Sequence, residues 1–326
     1  MKLKNKISAV VSIIKVKFFK RKIPLAVSWS LTNRCNYRCK YCNVWEIKSK
    51  ELTTKQIFSV IDELAKMGTQ RMSLIGGEPL LRKDIGKIIN YCKKYDFHVT
   101  LSSNGTLISK RIKEIKGTDL LKISFDGPEK IHDFMRQEGS YLDVLRAIKV
   151  AKNNSIKVML ITTLTKYNLN YVDFILETAK KFDVGVIFQP VNNILSYSEK
   201  NIISLSPKIA KYKSVINKLI SLKKSNKHIV NSIKGLKYIL NWPNPTQLQC
   251  YAGKILCRIA PNGNLYPCTI MENKTKTLNC LNLGFKGAFN NIPEASCETC
   301  WCSNTLELNC LLAFDPETIL NLKKWL

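Results

Sequence analysis

Three cysteines stand close together in Cys35-Asn36-Tyr37-Arg38-Cys39-Lys40-Tyr41-Cys42, spaced C-x3-C-x2-C. They follow an apolar, β-type run from Leu25 to Leu31, so they belong on a loop directly after a strand. Three thiolates this close can converge on one soft metal centre. Structural zinc usually takes four ligands, often as two C-x2-C halves. A [4Fe–4S] cluster takes one thiolate per iron. Three cysteines therefore leave one iron open to a substrate or cofactor. Taken alone, the triplet also fits a zinc knuckle or redox-sensing thiols.

A second motif, Gly76-Gly77-Glu78-Pro79, follows about one βα unit later. With the triplet and the aromatic Tyr41 before Cys42, it resembles the signature of the radical SAM enzymes. The resemblance implies that Cys35, Cys39 and Cys42 hold a cluster whose open iron chelates the amino and carboxylate groups of S-adenosylmethionine. It implies that the Gly76–Pro79 turn meets the cofactor's amino group. Glycines let a backbone approach a ligand closely, and Glu78 can accept from an ammonium. Ser103-Asn104-Gly105 is similar to the family's Thr-Asn-Gly variant and offers small polar groups to ribose hydroxyls. Ser124-Phe125-Asp126-Gly127, with Arg136 twelve residues after Ser124, resembles a segment of the peptide-modifying branch. There Ser and Arg hold the ribose and carboxylate, and an arginine fork suits a carboxylate. Gln189 falls where the family's adenine-side contact lies. The resemblance leaves the catalytic base or hydrogen donor unassigned.

A second cysteine group occupies the last quarter: Cys250, Cys257, Cys268, Cys297, Cys300, Cys302 and Cys310. The run C-x12-G-x4-C from Cys250 through Gly263 to Cys268 resembles the auxiliary-cluster domain called SPASM, or twitch in its half-length form. After Cys300 the spacing is shorter than the full pattern. That favours one auxiliary [4Fe–4S] cluster, with two allowed by the eight cysteines from Cys250 onward. These seven are the expected ligands, Cys280 and Cys92 being set aside as less certain or merely buried. A structural zinc site is the alternative. Family members that oxidise a sulfatase Ser or Cys carry an Asp after the cysteine equivalent to Cys268. Thr269 stands there, which disfavours that activity.

These groups need a scaffold. Strand-like runs at about Ala26–Leu31, Arg71–Ile75, Val99–Ser102, Leu121–Phe125, Val158–Thr163 and Val186–Gln189 alternate with helical patterns. The helices fall near Thr54–Met67, Ile85–Tyr95, Ser109–Ile115, Tyr141–Asn153 and Leu169–Phe182. Six βα units argue for a parallel sheet with right-handed crossovers, short of the eight of a full barrel. The resemblance implies the fuller expectation, an α/β fold: a partial (β/α)6 TIM-like barrel with a small C-terminal cysteine-rich auxiliary-cluster domain. The expected divisions are 1–23, a basic amphipathic helix; 24–200, the radical SAM core; 201–249, a helical linker region; and 250–326, the auxiliary-cluster domain. Active sites in such sheets sit at the C-terminal strand ends, and each motif above follows a strand.

With 45% hydrophobic residues in 326, the chain can bury a core and is not disordered. Its twelve cysteines cluster at metal-type spacing, which fits a reduced, cytoplasmic setting better than a disulfide framework. Neither a cleavable signal peptide nor an apolar run long enough to span a membrane is expected. The net charge of +28 is mostly lysine spread along the chain, without an arginine-rich run, so nucleic acid is not the expected partner. Near the N-terminus, Ile7, Val10, Val11, Ile14 and Phe18 recur at helical spacing. Lys2, Lys4, Lys6, Lys15, Lys17, Lys20, Arg21 and Lys22 surround that stripe. It reads equally as a helix on an anionic membrane surface or as one packed across the domain.

The sequence thus points to a radical SAM oxidoreductase. The family chemistry is reductive cleavage of S-adenosylmethionine to a 5′-deoxyadenosyl radical that abstracts hydrogen from substrate, assisted here by an auxiliary cluster. The expected substrate is a peptide, and the reductant a flavodoxin or ferredoxin. The alternatives are a lipid or polyprenyl substrate at the membrane surface, and a non-catalytic zinc protein that binds nucleic acid.

Overall fold

The computed structural model describes residues 3–19, 21–191, 205–244, 246–247, 249–272, 275–295, 297 and 299–320, with side chains described from residue 11. Of the residues named above, Lys2 and Lys20 lie outside it, as do the side chains of Lys4, Lys6, Ile7 and Val10.

Six parallel strands form the frame: β1 (Ala26–Ser30), β2 (Arg71–Ile75), β3 (His98–Ser103), β4 (Leu120–Ser124), β5 (Lys157–Leu164) and β6 (Gly185–Pro190). They lie in sequence order, each bonded to the next. This is the α/β partial barrel that the family resemblance implied. Side chains alternate across each strand. Trp29, Met72, Leu74, Leu121 and Ile123 join the buried core. Ser28, Ser30, Ser73, Lys122 and Ser124 line the inner cavity instead. That alternation makes the strands legible and places small polar groups inside.

The helices on the outer face are α2 (Thr54–Lys66), α3 (Ile85–Lys94), α4 (Ile108–Arg111), α5 (Glu129–Met135), α6 (Ser140–Asn153) and α7 (Val172–Lys181). α2 begins where Thr53 Oγ1 accepts from Gln56 N and Gln56 Oε1 accepts from Thr53 N, a reciprocal cap. Its Ile57, Val60, Ile61 and Leu64 are buried along one face. Truncating one of them to Ala costs about 2–5 kcal/mol. The sequence pattern did not anticipate α5. It is only seven residues long, too short to display a period.

The cysteine-rich region grows out of the same sheet. β7 (Leu256–Ile259) pairs parallel with β1, from Ala26 opposite Leu256 to Trp29 opposite Ile259. A turn at Asn262-Gly263, with Gly263 at φ +85°, leads into antiparallel β8 (Asn264–Tyr266), then β9 (Leu278–Asn279). The opposite edge, β6, is covered. Asn231 brackets Phe188 through its N–H and carbonyl, and Ser303 Oγ donates to the same carbonyl at 2.7 Å. Such covering removes an open pairing edge. α8 (Ile209–Leu222), α9 (Ile233–Ile239), α10 (Cys280–Asn291), α11 (Ser303–Leu312) and α12 (Pro316–Leu320) complete the described elements.

The N-terminal helix, α1, is described over Leu3–Phe19, and residues 21–23 of the expected 1–23 segment are not helical. Val16 packs with Leu25, Tyr251, Ile255 and Leu312. Val11, Ile14 and Phe18, members of the stripe, face solvent. Among the described residues no helix is long and apolar enough to cross a membrane.

Candidate functional site

A cavity of about 370 Å³ opens at the C-terminal ends of the strands, within the size range of small-molecule sites. Cys35, Cys39, Cys42 and Tyr41 line one part of its wall, and Cys257, Cys268 and Cys302 another. Gly76, Gly77, Ser103, Asn104, Ser124, Arg136 and Gln189 also line it. Eleven of the predicted cofactor and first-triplet residues therefore meet in one space, and two do not: Glu78 and Asp126.

The cysteine loop is held by its neighbours. Arg82, 6% exposed, donates to Leu31 O at 3.2 Å and Leu52 O at 3.0 Å while pairing with Glu51 and Asp84. Lys40 N donates to Met135 O at 2.9 Å, and Asn104 Nδ2 to Asn36 Oδ1 at 2.9 Å. The glycines of the second motif serve this loop directly. A Cβ on Gly76 would stand 2.3 Å from Thr32 O, and one on Gly77 2.3 Å from Arg34 O. Their close approach is to the backbone leading into Cys35, although both also border the cavity.

Glu78 lies behind that wall, fully buried. It accepts from Leu80 N, Ser103 Oγ and Asn104 N. Burial pushes its carboxyl up to about 7. It is a strut between the β2 and β3 turns and is not among the cavity-lining residues, where the resemblance implies a contact with an ammonium. Asp126 is likewise off the cavity. Its carboxylate accepts from Arg136 Nε at 2.7 Å and Tyr41 Oη at 2.8 Å, and its N–H donates to His132 Nδ1 at 3.1 Å. Burial lowers His132 to about 4, so it stays neutral and able to accept. Arg136 Nη1 lies 3.8 Å from Cys39 Sγ. Burial raises the Cys39 thiol to about 12, and Arg136 opposes the rise.

These observations test the fit of a cluster with S-adenosylmethionine. Three thiols border one space, and among the described residues no three His, Cys, Asp or Glu side chains stand close enough together to hold a metal ion. One thiolate per iron needs thiols around a common space. A guanidinium and several hydroxyl and amide groups stand on the same wall. The residues fit the group.

In the second group, Cys250, Cys268, Cys297 and Cys300 lie within one another's electrostatic reach. A hydrogen bond from Cys297 lowers the Cys250 thiol. Burial lifts Cys268 to about 11, against hydrogen bonds from Met271 and Ile270 N–H. Cys302 stands between this group and the cavity. Cys257 lines the cavity with Cys268 and Cys302, and Cys310 is buried on α11. Cys257 sits 1% exposed beside Cys280, and Cys310 beside Glu307.

Sequence reasoning missed Lys122, Arg258, Asn304 and Thr305, all on the cavity wall. Lys122 Nζ donates to Asn304 Oδ1 at 2.6 Å, and burial lowers its ammonium to about 7. Its signal was available: a lone lysine within the otherwise apolar run of β4.

Comparisons with known proteins agree with this geometry. Residues 29–179 match the family model of the radical SAM superfamily. The chain is 32% identical over 170 residues to Fe-coproporphyrin III synthase of Methanosarcina barkeri, covering 50% of this chain and 42% of that protein. It is 29% identical over 286 residues to an uncharacterized protein of Methanocaldococcus jannaschii, covering 83% and 92%. Against the first-matched curated relatives, the chain spans about half of their length or less. Among solved structures, native anSMEcpe with bound AdoMet and Kp18Cys peptide superimposes at TM-score 0.67 and 18% identity, over 91% of this chain and 99% of that one.

Proposed function

The chain belongs to the radical SAM superfamily through its domain at residues 29–179, and from that premise we propose that it oxidises or cross-links a peptide held between its two cysteine groups. One observation carries this reading: the thiols of Cys35, Cys39 and Cys42 share a cavity with Cys268 and Cys302. A substrate in that cavity touches both regions. The peptide class is supported by the shared fold with anSMEcpe, whose structure holds a peptide.

Cys35, Cys39 and Cys42 would hold a [4Fe–4S] cluster, and Ser103, Asn104, Ser124, Arg136 and Gln189 would hold S-adenosylmethionine. Bound together, these groups would supply reductive cleavage of the cofactor's sulfonium and hydrogen abstraction from substrate. The chain's own residues bind, orient and exclude. Arg136 presents a charge-assisted donor to a carboxylate, and Asp126 fixes its direction. Tyr41, tied to the same carboxylate, closes the wall beside Cys42. Val27, Val44, Trp45, Ile161, Leu256 and Leu308 give the cavity apolar surface that excludes water. Cys250, Cys268, Cys297 and Cys300 would hold the auxiliary cluster. A flavodoxin or ferredoxin would be the electron donor.

The test is anaerobic reconstitution, dithionite reduction and chromatography with mass detection of 5′-deoxyadenosine. The wild type is expected to form it and a Cys35→Ala, Cys39→Ala, Cys42→Ala variant not to. A wild type that binds zinc in place of iron and forms none overturns the reading. Peptides encoded beside its gene are then assayed for loss of hydrogen, and failure of all of them removes the peptide class. A second reading, a lipid or polyprenyl substrate, is favoured by the apolar outer stripe of α1, and deuterium transfer from labelled polyprenol in vesicles would establish it.

A further inference from the structure

The outer face of α1 is apolar where a surface helix is ordinarily polar. Val11 is 42% exposed, Ile14 40%, Phe18 72% and Phe19 69%. Successive helical residues turn about 100°, so Val11, Ile14 and Phe18 fall within about 60° of one another, opposite Val16. Val16 and Ser12 are buried, with Ile13 beside them, against Leu25, Tyr251, Ile255 and Leu312. The helix is thus docked by one face and leaves the other bare. Phe314, 51% exposed, extends the bare surface, with Lys17 Nζ 3.9 Å from its ring centroid.

Charge says what covers it. Eight Lys and Arg residues lie within the first 22 positions, and the first acidic residue of the chain is Glu46. Lys15 and Arg21 are exposed at the border of the stripe. A second copy of this helix would bring like charges together, in a chain already at +28. An occupant must accept apolar side chains along a line and present negative charge on both flanks. An anionic lipid surface does both.

We propose that α1 seats the protein on an anionic bilayer, with Val11, Ile14 and Phe18 entering the acyl boundary and the flanking basic residues meeting lipid phosphates. The helix lies in the interface and does not span it. This goes beyond the catalytic reading and needs neither cofactor nor substrate.

The test is co-sedimentation of the full chain with phosphatidylcholine vesicles, with and without phosphatidylglycerol. Binding is expected only with phosphatidylglycerol, and about 0.5 M salt should weaken it, since screening shortens to a few ångströms. An Ile14→Ser, Phe18→Ser variant should bind at least roughly tenfold more weakly, with an unchanged melting temperature because both side chains are exposed. Lys15→Glu should weaken binding by roughly fivefold or more. Absence of binding by the wild type overturns the proposal, as does equal binding to neutral vesicles or equal binding by the double variant. A wild-type dimer in light scattering that the double variant dissolves assigns the stripe to a second copy and also overturns it. Repeating the assay on the Cys35→Ala, Cys39→Ala, Cys42→Ala variant separates this outcome from that of the catalytic reading.

Discussion

Asp126 Oδ2 stands 2.7 Å from Arg136 Nε, so a carboxylate with no exposure holds a guanidinium that lines the cavity. Removing one partner of a buried pair strands the other's charge. Asp126→Ala is therefore expected to lower stability by about 3–5 kcal/mol, read by urea unfolding of the protein without cofactors. Asp126→Ala with Arg136→Met should recover part of that loss. A single variant as stable as wild type would refute the buried-pair account.

Arg136 itself offers the charged donor for a cofactor carboxylate. Arg136→Lys keeps charge but loses the fork. S-adenosylmethionine affinity of the reconstituted protein should fall about tenfold or more, measured by anaerobic equilibrium dialysis. Unchanged affinity would place the carboxylate elsewhere.

Iron content separates ligands from buried thiols. Replacing Cys35, Cys39 and Cys42 with Ala should remove about four irons per chain, and replacing Cys250, Cys268, Cys297 and Cys300 about four more. Cys257→Ser and Cys310→Ser should instead keep their iron and lower the melting temperature, because each puts a hydroxyl into a packed site. Iron loss in either serine variant would return that cysteine to the ligand set.

Glu78 gives a pH signature. Its folded carboxyl titrates at about 7, above the ordinary 4.5. The folded protein therefore binds more protons between these values, and this group's contribution to stability declines as pH rises from about 4.5 to 7. Glu307, also raised to about 7 by burial, adds in the same direction. Glu78→Gln should flatten the slope in pH-dependent unfolding of the protein without cofactors. An unchanged slope would show that Glu78 is ionised in the fold.

Lys122 has the opposite sign. Burial lowers it from 10.5 to about 7, so its contribution to stability rises as pH increases through that window. Lys122→Met should be more stable than wild type near neutral pH, since it removes the cost of burying a cation. A less stable variant would mean that its hydrogen bond to Asn304 outweighs that cost.

The sequence by itself determined the frame. Six apolar strands alternating with amphipathic helices fix a parallel sheet, because period-2 and period-3.6 patterns each have one face to bury. It also determined that Cys35, Cys39 and Cys42 share a loop, since only five residues intervene among them. Tertiary structure decided what lay beyond local spacing. Glu78 and Asp126 sit inside conspicuous motifs, yet both turn away from the cavity because neighbouring N–H, O–H and guanidinium groups satisfy them there. Lys122 and Asn304, 182 positions apart, meet because α11 packs against the inner side of the sheet. The burial of Cys257 and Cys310 likewise follows from β7 pairing with β1 and from α11 burying its own face. A sequence records which groups are present; only packing assigns each of them a partner.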